Sequence, residues 1–345
     1  MNGRTRSETG GGGIRVVVVG ATGNVGTSVV KALSADPGVA SVLGLARRLP
    51  DWQPDRTTWA AADIDPGGTD LARHFTGADA VIHLAWKFQP THDPVTTWRT
   101  NVLGSIRVFE AVAEARVPVL IHASSVGAYS PGPKDRRVDE SWPTHGWPQA
   151  AYCREKAYLE RYLDAYELTR PAVRVVRMRP AFLFKRESAS QQRRIFAGRL
   201  LPPQLIRPSL VPAVPDLPGL TFQALHTDDA AAAYREAVTR PVRGAFNLAA
   251  EPPLDAAELA RIMDARPLKV PLPPLRAALS AAWRLRLVAA SPDLFDAVLR
   301  LPLLDSSRAR AELDWRPRYS AVEAVLEFLD GLRAQAGMET APLAA

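Results

Sequence analysis

The stretch "VVVVGATGNVG", residues 16–26, places four consecutive valines directly before a loop of small residues. A short, continuous apolar run is typical of a strand that is buried on both faces of a parallel sheet. Gly20 permits a tight turn after the strand, Gly23 lets the backbone approach a ligand closely, and Gly26 lets the next helix pack against the sheet. The N-terminus of that helix favours a negatively charged group. The stretch therefore predicts a dinucleotide-binding turn.

The first half of the chain alternates apolar strands with amphipathic helices, which is the pattern of βαβ units. Strands are predicted at 14–19, 39–45, 58–62, 80–84, 119–123 and 173–178. Helices are predicted near 25–35, 71–75, 97–115 and 152–166. Six strands with intervening helices form a doubly wound parallel α/β sheet of the Rossmann type, whose ligand crevice lies at the carboxyl ends of the strands.

Composition limits the class of protein. The chain has 345 residues and is 47% hydrophobic, which suits one large domain or two modest ones. A single cysteine, Cys153, excludes an intramolecular disulfide, and the six histidines show neither HxH nor HExxH spacing. The N-terminus lacks the apolar core of a signal peptide, and no apolar run reaches the roughly 18 to 20 residues of a membrane span. We expect a cytoplasmic protein without a structural metal or a membrane span.

The formal net charge of +7 raises the question of an anionic partner. The basic residues occur as scattered pairs, without interleaved aromatic residues or a recognised DNA-binding module. The charge therefore favours solubility and attraction of anionic small molecules, and no specific nucleic-acid partner is expected. The expected partner is a small-molecule substrate, and homodimer formation is left open.

The stretch "AYCREKAYLE", residues 151–160, carries Tyr152 and Lys156 four residues apart, on one face of a predicted helix. A tyrosine with an ordinary pKa of about 10 is a poor base at neutral pH, but a neighbouring ammonium stabilises its phenolate. Ser124 and Ser125 follow an apolar strand and lie at the same crevice rim. Ser125 then donates a hydrogen bond to a substrate oxygen while Tyr152 transfers a proton and hydride passes at the neighbouring carbon.

The order of these motifs resembles the extended short-chain dehydrogenase/reductase family, often labelled NAD-dependent epimerase/dehydratase. The resemblance runs from about residue 14 to about residue 330. Its pieces are "GATGNVG", "DI" at 63–64, "VIHLAW" at 81–86, Asn101 in "TNVLGS", "SSVGAY" at 124–129, "YCREK", "RP" at 179–180, "LHTDDAAAA" from 225, "FNLA" from 246 and "ARAELDWRP" near the end.

The resemblance implies a catalytic set and a cofactor site. The catalytic residues are expected to be Ser125, Tyr152, Lys156 and Asn101. Ser125 is preferred to Ser124 because it stands four residues before Tyr129. The residues expected to hold NAD(P) are Gly20, Thr22, Gly23, Asn24, Val25, Gly26, Arg47, Arg48, Asp63, Ile64, Leu84, Ala85, Trp86, Tyr152, Lys156 and Pro180, with Asp63 and Ile64 lying along the adenine.

Two departures from the family pattern bear on the chemistry. The second strand, "VLGLARR", lacks the acidic residue that holds the adenosine ribose and offers Arg47 and Arg48 instead, which favours NADP over NAD because arginine pairs with a 2′-phosphate. Nucleotide-sugar epimerases of the family usually carry an asparagine and a glycine soon after the "RP" pair. "RPAFLFKRES" has neither, which weakens the sugar-nucleotide interpretation.

The resemblance also divides the chain into domains. We expect a disordered tail at 1–13, a cofactor-binding domain at 14–180, a substrate-binding lobe mainly at 181–335 and a flexible tail at 336–345. A segment near 222–240 returns to the cofactor domain, and the proline-rich residues 201–219 form an ordered loop over the crevice. Candidates for apolar or anion contacts in the substrate site are Phe182, Phe184, Trp86, Lys185, Arg186 and Arg194.

Three functions stay open. The first is an NAD(P)-dependent oxidoreductase acting on a hydroxyl or carbonyl carbon of a small molecule. The second is a nucleotide-sugar epimerase or dehydratase with tightly bound NAD. The third, from a different class, is a non-catalytic dinucleotide-binding sensor or scaffold, against which the complete catalytic set argues.

Overall fold

The computed structural model describes residues 13–89, 91–196 and 212–344. The predicted N-terminal tail lies outside these residues except for Gly13. Residues 201–211 of the predicted loop over the crevice also lie outside them.

Strands and helices alternate along the first 180 residues, and shorter strands and further helices follow. The strands are β1 Ile14–Val19, β2 Val39–Ala46, β3 Thr57–Ala61, β4 Ala80–His83, β5 Val119–Ala123, β6 Arg137–Val138, β7 Arg174–Pro180, β8 Phe182–Phe184, β9 Ala213–Asp216, β10 Thr221–Phe222, β11 Ala224–His226, β12 Gly244–Leu248, β13 Leu254–Asp255, β14 Arg266–Lys269 and β15 Leu303–Leu304. The helices are α1 Asn24–Ser34, α2 Leu71–Phe75, α3 Pro94–Trp98, α4 Gly104–Glu114, α5 Ala151–Thr169, α6 Ala189–Phe196, α7 Thr227–Thr239, α8 Ala256–Ile262, α9 Leu272–Arg284, α10 Pro292–Val298, α11 Ser307–Glu312 and α12 Ala321–Arg333.

The central sheet has seven parallel strands in the order β12-β7-β5-β4-β1-β2-β3. The prediction of a doubly wound parallel sheet is confirmed, with each of the six predicted strands present. The seventh strand, β12, was not predicted, and it pairs with β7 at the edge of the sheet. The chain after residue 180 thus contributes to the central sheet as far as Leu248.

The valine run explains why helices cover both faces of the sheet. Val16 and Val18 pack with the apolar residues of α1 and α7 on one face. Val17 and Val19 pack with those of α4 and α5 on the other face. Because successive side chains of a strand point to opposite faces, an unbroken apolar run fills two cores at once.

The predicted helix at 97–115 is not one regular α-helix in the structure. A short helix, α3, starts earlier, where the Asp93 carboxylate caps the amide of Thr96 and Pro94 occupies the first helical position. A π-helical turn, Arg99–Leu103, then separates α3 from α4. Such a turn inserts an extra residue into the helix and redirects the side chains within it, here that of Asn101.

The C-terminal half encloses the carboxyl edge of the sheet. Helix α7 packs along α1, and Ser28 Oγ donates to Asp228 Oδ1 across this contact at 2.6 Å. Short strand pairs, β10 with β13 and β9 with β14, form the smaller lobe. Among the described helices, none is long and apolar enough to cross a membrane.

Residues 336–344 are packed, where the sequence predicts a flexible tail. Leu343 is fully buried, and Thr340 Oγ1 donates to the carbonyl of Thr22 at 3.0 Å. Arg194 donates to the carbonyls of Pro342 and Ala344. The segment lies against the glycine loop because its threonine and leucine find partners there, which the polar and small residues around them conceal in the sequence.

Candidate active site

In the glycine loop between β1 and α1, two glycines have no space for a side chain and one has space for it. Gly20 has a φ of +84°, and a Cβ there would lie 2.6 Å from the amide nitrogen of Ala85. A Cβ on Gly26 would lie 2.3 Å from the carbonyl oxygen of Gly20. At Gly23 the nearest atom would be 3.5 Å away, and no side chain caps the helix there. No side chain therefore caps the N-terminus of α1, whose first-turn amides favour a negatively charged group.

The other loop residues of the predicted cofactor site hold the loop in place. Thr22 is buried beneath Thr340, and Asn24 Nδ2 donates to the carbonyl of Leu183 at 3.4 Å. Val25 lies in the first turn of α1 and packs against the core. The structure thus gathers these residues at one helix end.

The end of β2 carries the predicted phosphate contacts. Arg47 and Arg48 are exposed, next to the strand end at which the carbonyl of Leu45 accepts the amide of Gly20 at 3.0 Å. Among the described residues, neither arginine has a hydrogen bond or ion pair with another side chain. The two cations are therefore available beside the glycine loop.

The predicted adenine contacts follow β3. Asp63 Oδ1 accepts the amide of Asp65 at 3.1 Å, so part of its carboxylate is used within its own turn. Ile64 is buried against Gly104 at the start of α4. These residues form a wall beside the end of the sheet, and contact with adenine stays a prediction.

The strand end after β4 lies close to the glycine loop. The amide of Leu84 donates to the carbonyl of Val19 at 2.8 Å, and the backbone of Ala85 closes on Gly20. Trp86 then turns towards helix α5. Pro180 lies at the end of β7, in register with Leu248 and separated from β1 by two strands, so the structure does not bring it to the glycine loop.

The two serines after β5 have different partners. Ser124 Oγ donates to Glu160 Oε1 at 2.5 Å, within a buried cluster in which Arg179 also binds Glu160. Ser125 Oγ accepts the amide of Gly127 at 3.0 Å and lies beside the Tyr152 ring at this turn. The Ser125 hydroxyl therefore faces Tyr152, with which it shares a hydrogen bond, whereas the Ser124 hydroxyl is engaged by Glu160.

Tyr152 and Lys156 lie together on α5, as their spacing predicts. Lys156 Nζ donates to the carbonyl of Ala123 at 2.6 Å and stands 3.4 Å from the centroid of the Trp86 ring. Burial lowers the pKa of Lys156 to about 7, against the opposing effect of Glu155 and Glu160. Burial raises the pKa of Tyr152, and a hydrogen bond with Ser125 opposes that rise.

Asn101 lies in the π-helical turn and is fully buried, but its amide is not at the reacting atoms. Its Oδ1 accepts the amide of Lys87 at 2.7 Å, and its Nδ2 donates to the carbonyl of Lys87 at 2.8 Å and to Glu155 Oε2 at 2.7 Å. This side chain fixes the segment after Trp86 to α5, which suits a positioning role, and the predicted catalytic role stays a prediction.

A cavity of about 220 Å³ opens beside Tyr152. The Phe88 ring stacks on the Tyr152 ring with centroids 5.1 Å apart, and Trp86 meets the same ring edge-on at 5.6 Å. His92 and Trp283 stack at 4.0 Å on the other side. Polar groups at the wall include Thr97 and Glu155. Aromatic rings therefore form one part of the wall, and the charged side chains of Lys87, Arg154, Glu155 and Asp293 form another; the predicted acid/base, Tyr152, itself lines the cavity.

Sequence reasoning missed most of this cavity. Phe88, His92, Trp283 and Leu294 line it, and their separation along the chain gives no spacing pattern. Of the predicted pocket residues, Trp86 does line it. Phe182 instead packs on Phe222, and Phe184 on Phe328. Arg186 pairs with Asp330, which leaves it outside the cavity.

Comparison with known proteins shows the family of the chain. The sequence model of the NAD dependent epimerase/dehydratase family matches residues 16–249. The chain belongs to that family. The family assignment confirms the resemblance predicted from the motifs, and it supports an NAD-dependent enzyme.

Two curated relatives have different activities. A UDP-glucose 4-epimerase of Mycolicibacterium smegmatis is 31% identical over 163 residues, 44% of this chain and 51% of the relative. A 4-hydroxy-2-methyl-3-oxo-4-farnesyl-3,4-dihydroquinoline-1-oxide ketoreductase of Stigmatella aurantiaca is 28% identical over 176 residues, 50% of this chain and 51% of the relative. The chain thus spans about half the length of these relatives.

Solved structures extend the likeness of fold to nearly the whole chain. The Thermus thermophilus UDP-glucose 4-epimerase in complex with NAD has a TM-score of 0.68 and 21% identity, with 93% of this chain and 99% of that chain covered. At this identity the match shows a common fold.

Proposed function

We propose that the chain is an NAD(P)-dependent oxidoreductase that acts on the hydroxyl or carbonyl carbon of a small hydrophobic molecule. The observation that carries the proposal is the stack of Phe88 on Tyr152 in the wall of the cavity, which joins the acid/base to an apolar binding surface. Concave sites of this kind bind apolar ligands through their walls and orient them through few polar groups.

The residues have complementary roles in carbonyl reduction. The Tyr152 hydroxyl transfers its proton to the substrate oxygen, and the Ser125 hydroxyl donates a hydrogen bond to the same oxygen. The Lys156 ammonium stabilises the phenolate that remains, and its proximity to Tyr152 on α5 supports this role. The aromatic walls limit the access of water. A bound nicotinamide supplies the hydride.

The cofactor preference is assigned to NADP. Arg47 and Arg48 are exposed beside the glycine loop, and no described side chain neutralises them. An arginine in this place pairs with a 2′-phosphate through two parallel hydrogen bonds. NADP matches reduction, because a reductase must exchange spent cofactor in each cycle.

A nucleotide-sugar epimerase is the second candidate, and the Mycolicibacterium smegmatis relative favours it. An epimerase returns the hydride to the same substrate and gains from tightly held NAD. The sequence after Arg179-Pro180 disfavours it here, because it lacks the asparagine and the glycine that nucleotide-sugar epimerases of the family usually carry. A sensor without turnover is the third candidate, which the presence of the complete set of Ser125, Tyr152 and Lys156 argues against.

A paired assay distinguishes these functions. Purified protein is incubated with NADPH and a panel of hydrophobic and aromatic ketones and aldehydes, and the nicotinamide absorbance is followed. A parallel panel of UDP- and dTDP-sugars is analysed for stereochemical inversion. We expect carbonyl-dependent loss of NADPH and little NAD carried through purification. Sugar inversion by protein isolated with bound NAD, without carbonyl-dependent oxidation, would establish the epimerase, and inactivity in both panels would favour the sensor.

A further inference from the structure

Lys185 is a buried cation that the proposed reaction does not use. It follows β8 and is only 4% exposed. Its Nζ donates to Thr27 Oγ1 at 2.6 Å and to Ser28 Oγ at 3.2 Å, both on α1. Within the part of the chain that the structure describes, no carboxylate forms an ion pair with this ammonium. Its direct partners are two hydroxyls, and the Asp228 carboxylate reaches it only through Ser28 Oγ.

The contact of Lys185 leads directly to the open position of the glycine loop. Thr27 Oγ1, which accepts from Lys185, lies 3.1 Å from the carbonyl oxygen of Gly23 and donates to it. Gly23 is the N-cap of α1, where no side chain satisfies the first-turn amides. The ammonium and the positive end of the helix dipole thus act on the same space.

This arrangement is more favourable with an anion at the loop than without one. A cation near a helix N-terminus is disfavoured by the dipole, and a buried ammonium whose carboxylate partner is only indirect, here Asp228 through Ser28, bears part of its desolvation cost. A bound diphosphate offsets both effects. We propose that Lys185 is a positioning residue for the dinucleotide diphosphate, acting through Thr27 and Gly23 and coupling cofactor binding to uptake of a proton.

The charges around Lys185 set its titration. Burial lowers the pKa of Lys185 to about 8. Asp228 on α7 and the adjacent Glu187 raise that pKa, and Lys31 on α1 lowers it. The nearby charges of α12 are engaged elsewhere, in the pairs Arg186–Asp330 and His226–Glu327. An anion bound at the loop raises the pKa further, so binding takes up a proton above about pH 8 and weakens as the pH rises.

The inference rests on the proposed placement of the diphosphate at the glycine loop, and ADP-ribose is the probe because it carries the diphosphate without nicotinamide. Titration calorimetry at about pH 8, in two buffers of different ionisation enthalpy, counts the protons taken up. Since half of the Lys185 side chains are then neutral, we expect uptake of about half a proton by the wild-type chain, and almost none at about pH 6.

Lys185→Met is expected to abolish the proton uptake and to weaken the binding of ADP-ribose about tenfold. The binding of NADH and of NADPH is expected to weaken by the same factor. Lys185→Arg is expected to keep the affinity without the uptake, because arginine stays protonated. Lys31→Met, which removes an exposed lysine from the same helix, serves as the matched control and is expected to change the affinity less than about twofold.

Failure of the wild-type chain to bind ADP-ribose would contradict the placement of the diphosphate itself. Binding without proton uptake would overturn the role of Lys185, whether or not its variants fold. Unchanged affinity in a folded Lys185→Met variant would overturn it too.

Discussion

The glycine loop and the cavity beside Tyr152 are constrained in different ways. In the loop, backbone atoms come so close at Gly20 and Gly26 that no other residue type fits. In the cavity, Phe88 and Trp283 contribute bulk and apolar surface that other large side chains also provide. The difference teaches that the cofactor half of the site is specified residue by residue, whereas the substrate half is specified only by volume and polarity.

The largest expected effect separates two glycines within the loop. Gly26→Ala places a Cβ 2.3 Å from the Gly20 carbonyl, so the fold must shift, and we expect a loss of roughly 3 kcal/mol in the free energy of unfolding. Gly23→Ala meets nothing closer than 3.5 Å and is expected to keep its stability while losing about tenfold or more in NADPH affinity. Denaturant unfolding and NADPH titration measure both. If the two variants were equally stable, Gly26 could not be distinguished from Gly23 as a glycine that packing requires rather than ligand binding.

The burial of Lys156 is expected to make the stability of the fold depend on pH. Its pKa is about 7 in the folded chain and 10.5 as the ordinary value, so between these pH values the unfolded chain binds more protons. Stability therefore rises with pH across this window in the wild type relative to Lys156→Met, by at most about 1.4 kcal/mol per pH unit. Unfolding curves of both proteins at pH 7 and pH 9 test this. If the free energy of unfolding changed equally in the two proteins between pH 7 and pH 9, burial would not lower the pKa of Lys156.

Truncation of the cavity wall is expected to act on the substrate alone. Trp283 stacks on His92, and its Nε1 donates to Thr91 Oγ1 at 3.0 Å. Trp283→Ala should raise KM for an aromatic ketone about tenfold, because one aromatic contact is lost, and leave KM for NADPH unchanged. Steady-state kinetics give both values. A parallel rise in KM for NADPH would mean that the cavity and the cofactor site are not separate.

Arg47→Asp gives the smallest expected effect, because the side chain is exposed and its interactions are screened by solvent. The variant should weaken NADPH about fivefold more than NADH. Competition binding of the two cofactors measures the ratio. Equal weakening of both would identify Arg47 as surface charge without a role in cofactor choice.

The same contrast explains how much the sequence could predict. The apolar run of β1 and the glycines after it identify the sheet and the cofactor loop, because the constraints on these residues arise within a short stretch of sequence. The π-helical turn at Asn101 is invisible in an amphipathic pattern, so helix continuity was wrong and the contacts of Asn101 were missed. The pocket residues Phe88 and Trp283 come together only in the fold. Lys185 was a candidate anion contact of the substrate site, because the sequence does not show that β8 delivers it to α1.

Ser125 illustrates the intermediate case. The motif limited the choice to two adjacent serines, and only the contacts separate them, since Ser124 is bound to Glu160. The sequence therefore limits the catalytic serine to two neighbouring residues, and the hydrogen bonds of their side chains support the choice between them.

Tyr152 belongs to both halves, so its hydroxyl tests the account most directly. NADPH oxidation with the best hydrophobic ketone is measured for the wild type and Tyr152→Phe, alongside NADPH affinity by fluorescence. The account predicts a fall in turnover by a factor of roughly 10² or more with unchanged NADPH affinity, because only the transferable proton is lost. Full turnover in Tyr152→Phe would contradict it.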